Sequence, residues 1–147
     1  MNHFDFDHLV ASAFLRAASD NLKPGPAQRG FTGLFGPVFT RQCDCFLYAD
    51  ERHLNPEGFV HGGLLSAFAD YVFYVSAKAR LPEGTVSPTI DLQIQYMGVG
   101  KAGDTLLGKA EVLRETRDLL FMRGDIYAGD TLIVAASGVY KKIRHQP

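Results

Sequence analysis

Apolar and polar positions along this chain follow two periods, and the switches between them divide it into elements. Residues 3 to 20 place Phe6, Leu9, Val10, Ala13, Phe14 and Ala17 three and four apart, the spacing of an amphipathic helix on a domain surface. Pro24, Gly25, Pro26 and Gly30 interrupt that pattern, so 22 to 30 reads as a loop. Strand signals run from Leu34 to Tyr48. A second helix is predicted from about 62 to 80, ended by Leu81-Pro82-Glu83-Gly84. Four more strands are predicted near 86–98, 104–115, 118–128 and 131–143, and the breaks at Gly98 to Gly103, Glu115 to Asp118 and Ala128 to Asp130 are short enough for antiparallel hairpins. No internal repeat stands out. One long helix with about five antiparallel strands implies an α+β fold in which a curved sheet wraps the helix.

The second helix is unusual. From Leu64 to Ala79 it offers no solvent face before Lys78, yet it carries one acid, Asp70. An ionised carboxylate without partners costs several kcal/mol to bury, so Asp70 is expected to be hydrogen-bonded, protonated, or turned toward a cleft where its charge is useful. Just upstream, Gly62 and Gly63 fall where an extended segment turns into the helix. Lacking a β-carbon, they let another molecule approach N–H groups that have no intrahelical partner, at the positive end of the helix dipole. Asn55 is a further candidate donor, delivered by the turn from Pro56 to Gly58. An oxyanion-type pocket is thus paired with a carboxylate.

The two groups are too far apart to act alone. Eight residues at 1.5 Å rise separate Gly62 from Asp70 by about 12 Å, so a single carbonyl meets both only if Asp70 comes from a second copy whose helix runs antiparallel across a two-fold axis. Gly63, Ser66, Ala67, Asp70 and Ala77 form a small-residue stripe suited to that partner, while Leu65, Phe68, Val72 and Val75 form a bulky stripe for the sheet. At least a dimer is expected, and a dimer of dimers would also cover the sheet edge.

Composition narrows the class. At 147 residues and 46% hydrophobic, residues 1–147 suit a single core, drawn mainly from 34–143. A net charge of −1 gives no support for nucleic-acid binding; the only basic cluster is Lys141, Lys142 and Arg144. Asp5 and Asp7 without a preceding basic segment argue against a secretory signal, and the longest apolar run falls short of a membrane span, so a cytoplasmic protein is expected. Cys43 and Cys45, two apart in a predicted strand, are expected on one face as ordinary core thiols, with too few companions for a metal site.

Asn55, Gly58, His61-Gly62-Gly63, Asp70, Thr89-Ile90-Asp91-Leu92 and Tyr96-Met97 together resemble the hot-dog-fold acyl-CoA thioesterases, specifically the phenylacetate-degradation and 4-hydroxybenzoyl-CoA thioesterase group. The resemblance runs from about Leu34 to Lys142. It implies that the Gly62 N–H meets the thioester carbonyl, that Asn55 assists from the same subunit, and that Asp70 of the neighbouring subunit is general base or nucleophile. It further implies that Thr89 positions the water or the acid. Asp70, Gly62, Asn55 and Thr89 are therefore the candidate catalytic residues, and His61, Gly63 and Gly58 the candidate substrate-binding ones. No metal or organic cofactor is needed, coenzyme A entering as part of the substrate. Where many relatives carry an Arg-Pro pair this chain has Gly98-Val99-Gly100, a departure near the usual coenzyme A contacts.

Plainer roles compete at each position. Asp70 could make only a structural hydrogen bond, Asn55 could serve only its turn, the double glycine only packing, and Thr89 only its strand. His61 is expected first to orient the start of the helix through a hydrogen bond, and second to contact substrate or water. Phe68, Tyr71, Phe73 and Tyr74 are expected in the core or an interface, with some lining an acyl pocket. Arg114, Arg117 and Arg123 read as solvated charges, with a coenzyme A phosphate as the alternative. The N-terminal helix, with Phe14 and Leu15, is a candidate cap over the pocket. Two other functions share the scaffold: a hot-dog hydratase or dehydratase using His61 and Asp70, and a non-catalytic acyl-CoA-binding or sensing protein.

Overall fold

The computed structural model describes residues 6–144. In chain order it contains α1 (Phe6–Ser19), β1 (Lys23–Pro24), α2 (Phe31–Phe35), β2 (Val38–Arg41), β3 (Asp44–Tyr48), a 3-10 turn (Glu51–His53) and α3 (Gly62–Arg80). There follow β4 (Thr85–Val86), β5 (Thr89–Tyr96), β6 (Thr105–Glu115), β7 (Leu119–Ala128), β8 (Thr131–Lys141) and β9 (Ile143–Arg144). Seven strands form one antiparallel sheet in the order β1-β2-β3-β6-β7-β8-β5, and β4 pairs with β9 apart from it. The sheet packs around α3, as the wrapped-helix architecture requires.

The bulky stripe of α3 is the reason. Leu65, Phe68, Val72 and Val75 are all buried, together with Leu106, Leu120, Met122, Ile126 and Ile133 from the sheet. Each such side chain is worth roughly 1.5–3 kcal/mol on transfer from water, enough to hold a helix with so little polar surface. Two sheet glycines let the helix sit close: a β-carbon at Gly124 would lie 2.5 Å from Phe73 Cε1, and one at Gly108 would run into Val72.

Alternation in β2 and β3 splits their side chains between two layers. Val38, Cys45 and Leu47 face α3, whereas Phe39 and Tyr48 join Ala13, Ala17 and Leu22 in a smaller cluster under α1. Phe14 stacks edge-on to Phe39 at 5.2 Å, and Arg16 donates to Thr105 Oγ1 at 2.7 Å. α1 is therefore held against β2 and β3 on the sheet face away from α3, not over a pocket beside α3.

Several expectations are corrected. Residues 3–5 of the predicted first helix, and Asp5 with them, lie outside the described residues; the helix ends at Ser19 as the spacing implied. The segment from Leu34 to Tyr48, expected to hold a strand or two, begins with the end of α2 and continues as the β2–β3 hairpin, turned at Gln42 (φ 57°) and Cys43. Cys43 thus sits in the turn, while Cys45 alone reaches the core, where burial pushes its thiol up to about 12. The break from Gly98 to Gly103 is no hairpin, because β5 pairs with β8 rather than β6. Its chain instead crosses the start of α3, where Val60 N–H donates to Gly100 O at 2.8 Å. Ala77, placed on the small stripe by spacing, is fully buried; Gly63, Ser66, Ala67 and Asp70 remain half-buried or exposed. No helix among the described residues is long and apolar enough to cross a membrane.

Candidate active site

The start of α3 is organised by His61. Its backbone is extended (φ −63°, ψ 134°) and its Nδ1 accepts from Gly63 N–H at 2.8 Å, capping the helix. Gly63 N–H is therefore spent internally. Gly62 N–H, in contrast, has no partner among the described residues, and it carries the positive end of a 19-residue helix. Because Nδ1 accepts, the neutral His61 ring holds its proton on Nε2, so it has no free basic nitrogen while it caps. Tyr96 lies beside this glycine, donating to Gly62 O at 3.0 Å and hydrogen-bonding Ser66 Oγ one turn on.

Asn55 is held by its own turn. Its Oδ1 accepts from Glu57 N–H (3.1 Å) and Phe59 N–H (3.0 Å), an orientation that leaves Nδ2 as an unused donor. Gly58 makes the turn possible at φ 82°, and its N–H donates to Asn55 O. Gly58 thus acts on Asn55 through the backbone. Behind the turn stands His53, which sequence reasoning missed: its Nδ1 accepts from Asp50 N–H, its Nε2 meets Phe35 O at 2.8 Å, and its carbonyl accepts from His61 N–H at 2.8 Å. Burial holds this imidazole below its ordinary value, against the pull of Asp50. One neutral ring therefore ties the 3-10 turn to α2 while its backbone fastens the start of α3.

Asp70 sits two turns along α3 and is half-buried rather than enclosed. Thr89 Oγ1 donates to its Oδ1 at 2.7 Å and Tyr140 Oη donates to the same oxygen at 2.9 Å. The sheet explains the convergence: Thr89 on β5 and Tyr140 on β8 are directly paired, so their side chains share the face that meets α3. Burial, and then the charge of Asp70, push the Tyr140 phenol upward, so it remains a donor at neutral pH. Asp70 Oδ2 has no partner among the described residues, and the residue lines a cleft of about 350 Å³ with Phe31, Tyr74 and Ser87. A carboxylate with one oxygen fixed and the other open is suited to accept a proton from water.

The predicted residues fall into two groups. Asn55, Gly58, His61, Gly62 and Gly63 gather at the start of α3, where His61, Gly63, Leu34, Leu54 and Leu64 line a cleft of about 270 Å³. Asp70 and Thr89 gather in the other cleft, with Phe31, Phe35 and Ala67 lining both. Tyr140 is the other residue that sequence reasoning missed, since only strand pairing brings it to Asp70. Among the described residues no three His, Cys, Asp or Glu side chains cluster as a metal site requires.

Comparisons with known proteins agree with this architecture. The family model described as the thioesterase superfamily matches residues 57–135, just over half the chain, a span that includes Gly62, Asp70 and Thr89 and leaves out Asn55 and Tyr140. A Pseudomonas aeruginosa protein provisionally named an esterase is 34% identical over 113 residues, covering 73% of this chain and 84% of that one. Human acyl-coenzyme A thioesterase 13 is 28% identical over 98 residues, 67% of this chain and 69% of that one. A Bacillus halodurans protein whose crystal structure contains CoA superposes with a TM-score of 0.66 at 20% identity, covering 93% of this chain and 84% of that one. The helix-wrapping sheet, the glycine-led helix start and these matches lead to one conclusion: the chain belongs to the thioesterase superfamily, thioester hydrolases built on the hot-dog fold.

Proposed function

We propose that this protein hydrolyses the thioester of an aryl- or fatty-acyl-CoA at a site shared by two copies of the chain. The acyl oxygen accepts from Gly62 N–H of one copy, with Asn55 Nδ2 beside it, and Asp70 of the other copy takes a proton from the attacking water. Water oxygen bonds to the carbonyl carbon, and the negative charge moves to the carbonyl oxygen at the helix start. Collapse of that intermediate breaks the carbon–sulfur bond and releases coenzyme A thiolate, which is then protonated. Oxyanion stabilisation of this kind is worth ~10²-fold or more per donor, and a positioned base ~10²–10⁴-fold.

The observation that carries this reading is that an N–H unpartnered among the described residues, at the helix start beside a cleft lined by its neighbours His61 and Gly63, and a carboxylate with one open oxygen in another cleft of the same chain lie about 12 Å apart along α3 by helix rise. A second copy supports their union. β5 ends the sheet order, its outer edge having no strand among the described residues, and Ile90, Tyr96 and Met97 are exposed on it or just past its end. Pairing of two such edges gives a dimer, and two dimers a tetramer.

His61 weighs against a hydratase: serving as a base through Nε2 requires its proton on Nδ1, which breaks the cap on Gly63. The test is thiol release from aryl, short-chain and long-chain acyl-CoAs by wild type and Asp70→Asn. Wild type is expected to cleave at least one class and Asp70→Asn to lose ~10²-fold or more in kcat. Tight acyl-CoA binding without cleavage, equal in both proteins, would select a sensor instead, and hydration of an enoyl-CoA a hydratase.

A further inference from the structure

We propose that Tyr140 is the residue that aims Asp70: its buried hydroxyl, more than that of Thr89, fixes the plane of the carboxylate and so turns Oδ2 toward the attacking water. Tyr140 is a positioning residue in this scheme, since it touches Asp70 and not the reacting atoms. The inference rests on the thioesterase reading above and deepens it, because the resemblance in sequence gives this task to Thr89.

The two donors reach Asp70 Oδ1 from different surroundings. Tyr140 is 1% exposed, whereas Thr89 lies at the surface. A surface donor can be replaced by water when it is removed, but a donor delivered from the core leaves its acceptor unmatched. No lysine, arginine, histidine or second carboxylate lines the Asp70 cleft among the described residues. The charge of Asp70 is therefore met there by these two hydroxyls, and their placement governs how the carboxylate points.

The sheet is shaped to hold the phenol. Gly138 and Tyr140, two apart on β8, share the face turned toward α3. A β-carbon at Gly138 would lie 2.7 Å from Tyr140 Cε2 and 3.3 Å from Phe73 Cε2, so the glycine leaves the slot that the ring occupies. Phe73 meets the same ring edge-on at 5.6 Å. Walled in this way, the ring has little freedom to swing its hydroxyl away from Asp70. Thr89 comes to the same oxygen through an irregularity. Leu92 pairs with Gly138 and Asp91 with Val139, so strict alternation would send Thr89 to the far face; the register shift between Thr89 and Asp91 brings it opposite Tyr140 instead. One strand is fitted by a missing side chain and its neighbour by an extra residue, and both deliver a hydroxyl to one carboxylate oxygen.

The test is a double-mutant cycle on kcat. Thiol release from an acyl-CoA is measured at steady state for wild type, Tyr140→Phe, Thr89→Val, Asp70→Asn and the Tyr140→Phe/Asp70→Asn pair, with circular dichroism to compare their folds. Expected for Tyr140→Phe is a fall in kcat of about ten-fold or more with KM within about two-fold of wild type, as for a lost hydrogen bond to a charged group. Thr89→Val should lose less. In the Asp70→Asn background the same tyrosine change should lower kcat by no more than about two-fold, because no base remains to be aimed. Equal losses in the two backgrounds would make Tyr140 a structural residue, and an unchanged kcat in Tyr140→Phe or a larger loss in Thr89→Val would return the task to Thr89. Each of those results overturns the proposal and leaves hydrolysis in place. Failure of wild type to cleave any thioester overturns it together with the reading on which it rests.

Discussion

At the scale of single residues, the helix start offers the sharpest test, because the role proposed for it resides in one N–H. Gly62 is the first residue of α3, and His61 before it already has the extended backbone that a following proline demands. Gly62→Pro should therefore keep the helix while deleting the donor. A β-carbon there meets the Tyr96 ring at 3.4 Å, an ordinary contact, so Gly62→Ala serves as the steric control. The expected outcome is a fall in kcat of ~10²-fold or more for proline and a much smaller one for alanine, with matching circular dichroism spectra. Equal losses in the two variants would assign the role of Gly62 to space rather than to its hydrogen. Asp70 and Gly62 stood out in the sequence because an acid in an apolar helix and a double glycine before one are both costly without a purpose. Tyr140 did not, because a tyrosine near the end of a strand is ordinary until its cross-strand neighbour is known.

At the scale of elements, the segment before α3 behaves as a unit built on His53. Its imidazole is 3% exposed and bonds two backbone segments, and burial holds its pKa below the ordinary 6.5. Between the two pKa values the unfolded chain binds a proton that the folded chain refuses, so stability must fall as pH drops below about 6.5 and level off once both states are protonated. Asp50 adds to the same trend further down: burial alone would raise it, but hydrogen bonds from Arg52 and the nearby charges hold it below its ordinary value. Urea unfolding at several pH values between 7 and about 5 should show wild type losing stability with acidification and His53→Gln losing less over that range. Equal slopes would remove His53 as the source. Elements themselves were legible where periodicity ran long: α3 and the four strands from β5 to β8 fall within a few residues of their predicted bounds. The short β1, α2 and β4 escaped notice, since two to five residues cannot establish a period.

At the scale of the whole molecule, the proposed two-copy site makes a prediction that no single-chain arrangement does. Asp70→Asn and Gly62→Pro should each be nearly inactive alone, yet a mixed dimer contains one site with both groups intact, Gly62 from the first variant and Asp70 from the second. Unfolding and refolding them together at equal concentration should restore about a quarter of wild-type activity, from half the dimers carrying one working site of two. Absence of recovery, with mixed dimers verified by mass spectrometry, would place both groups in one chain. Topology at this scale also corrected the hairpin expected at Gly98 to Gly103. A short break is compatible with either a hairpin or a crossover, and the choice falls to Val60 and Leu106, against which Gly100 packs.

What the sequence determined by itself was local: the long buried helix, its bulky stripe, the alternating strands, and an acid and a glycine pair too far apart on one helix to share a carbonyl. Those features follow from the 3.6- and 2-residue periods and the fixed rise of a helix, which depend on neighbours along the chain. Tertiary structure decided which strands pair, which hydroxyls fix Asp70, which histidine ties the 3-10 turn to α2 by its ring and to the start of α3 by its carbonyl, and that Arg117 and Arg144 line one cleft. Each of these joins residues dozens of positions apart, Tyr140 to Asp70 and Arg144 to Arg117 among them, through pairings chosen by the packing of the entire core rather than by any local pattern.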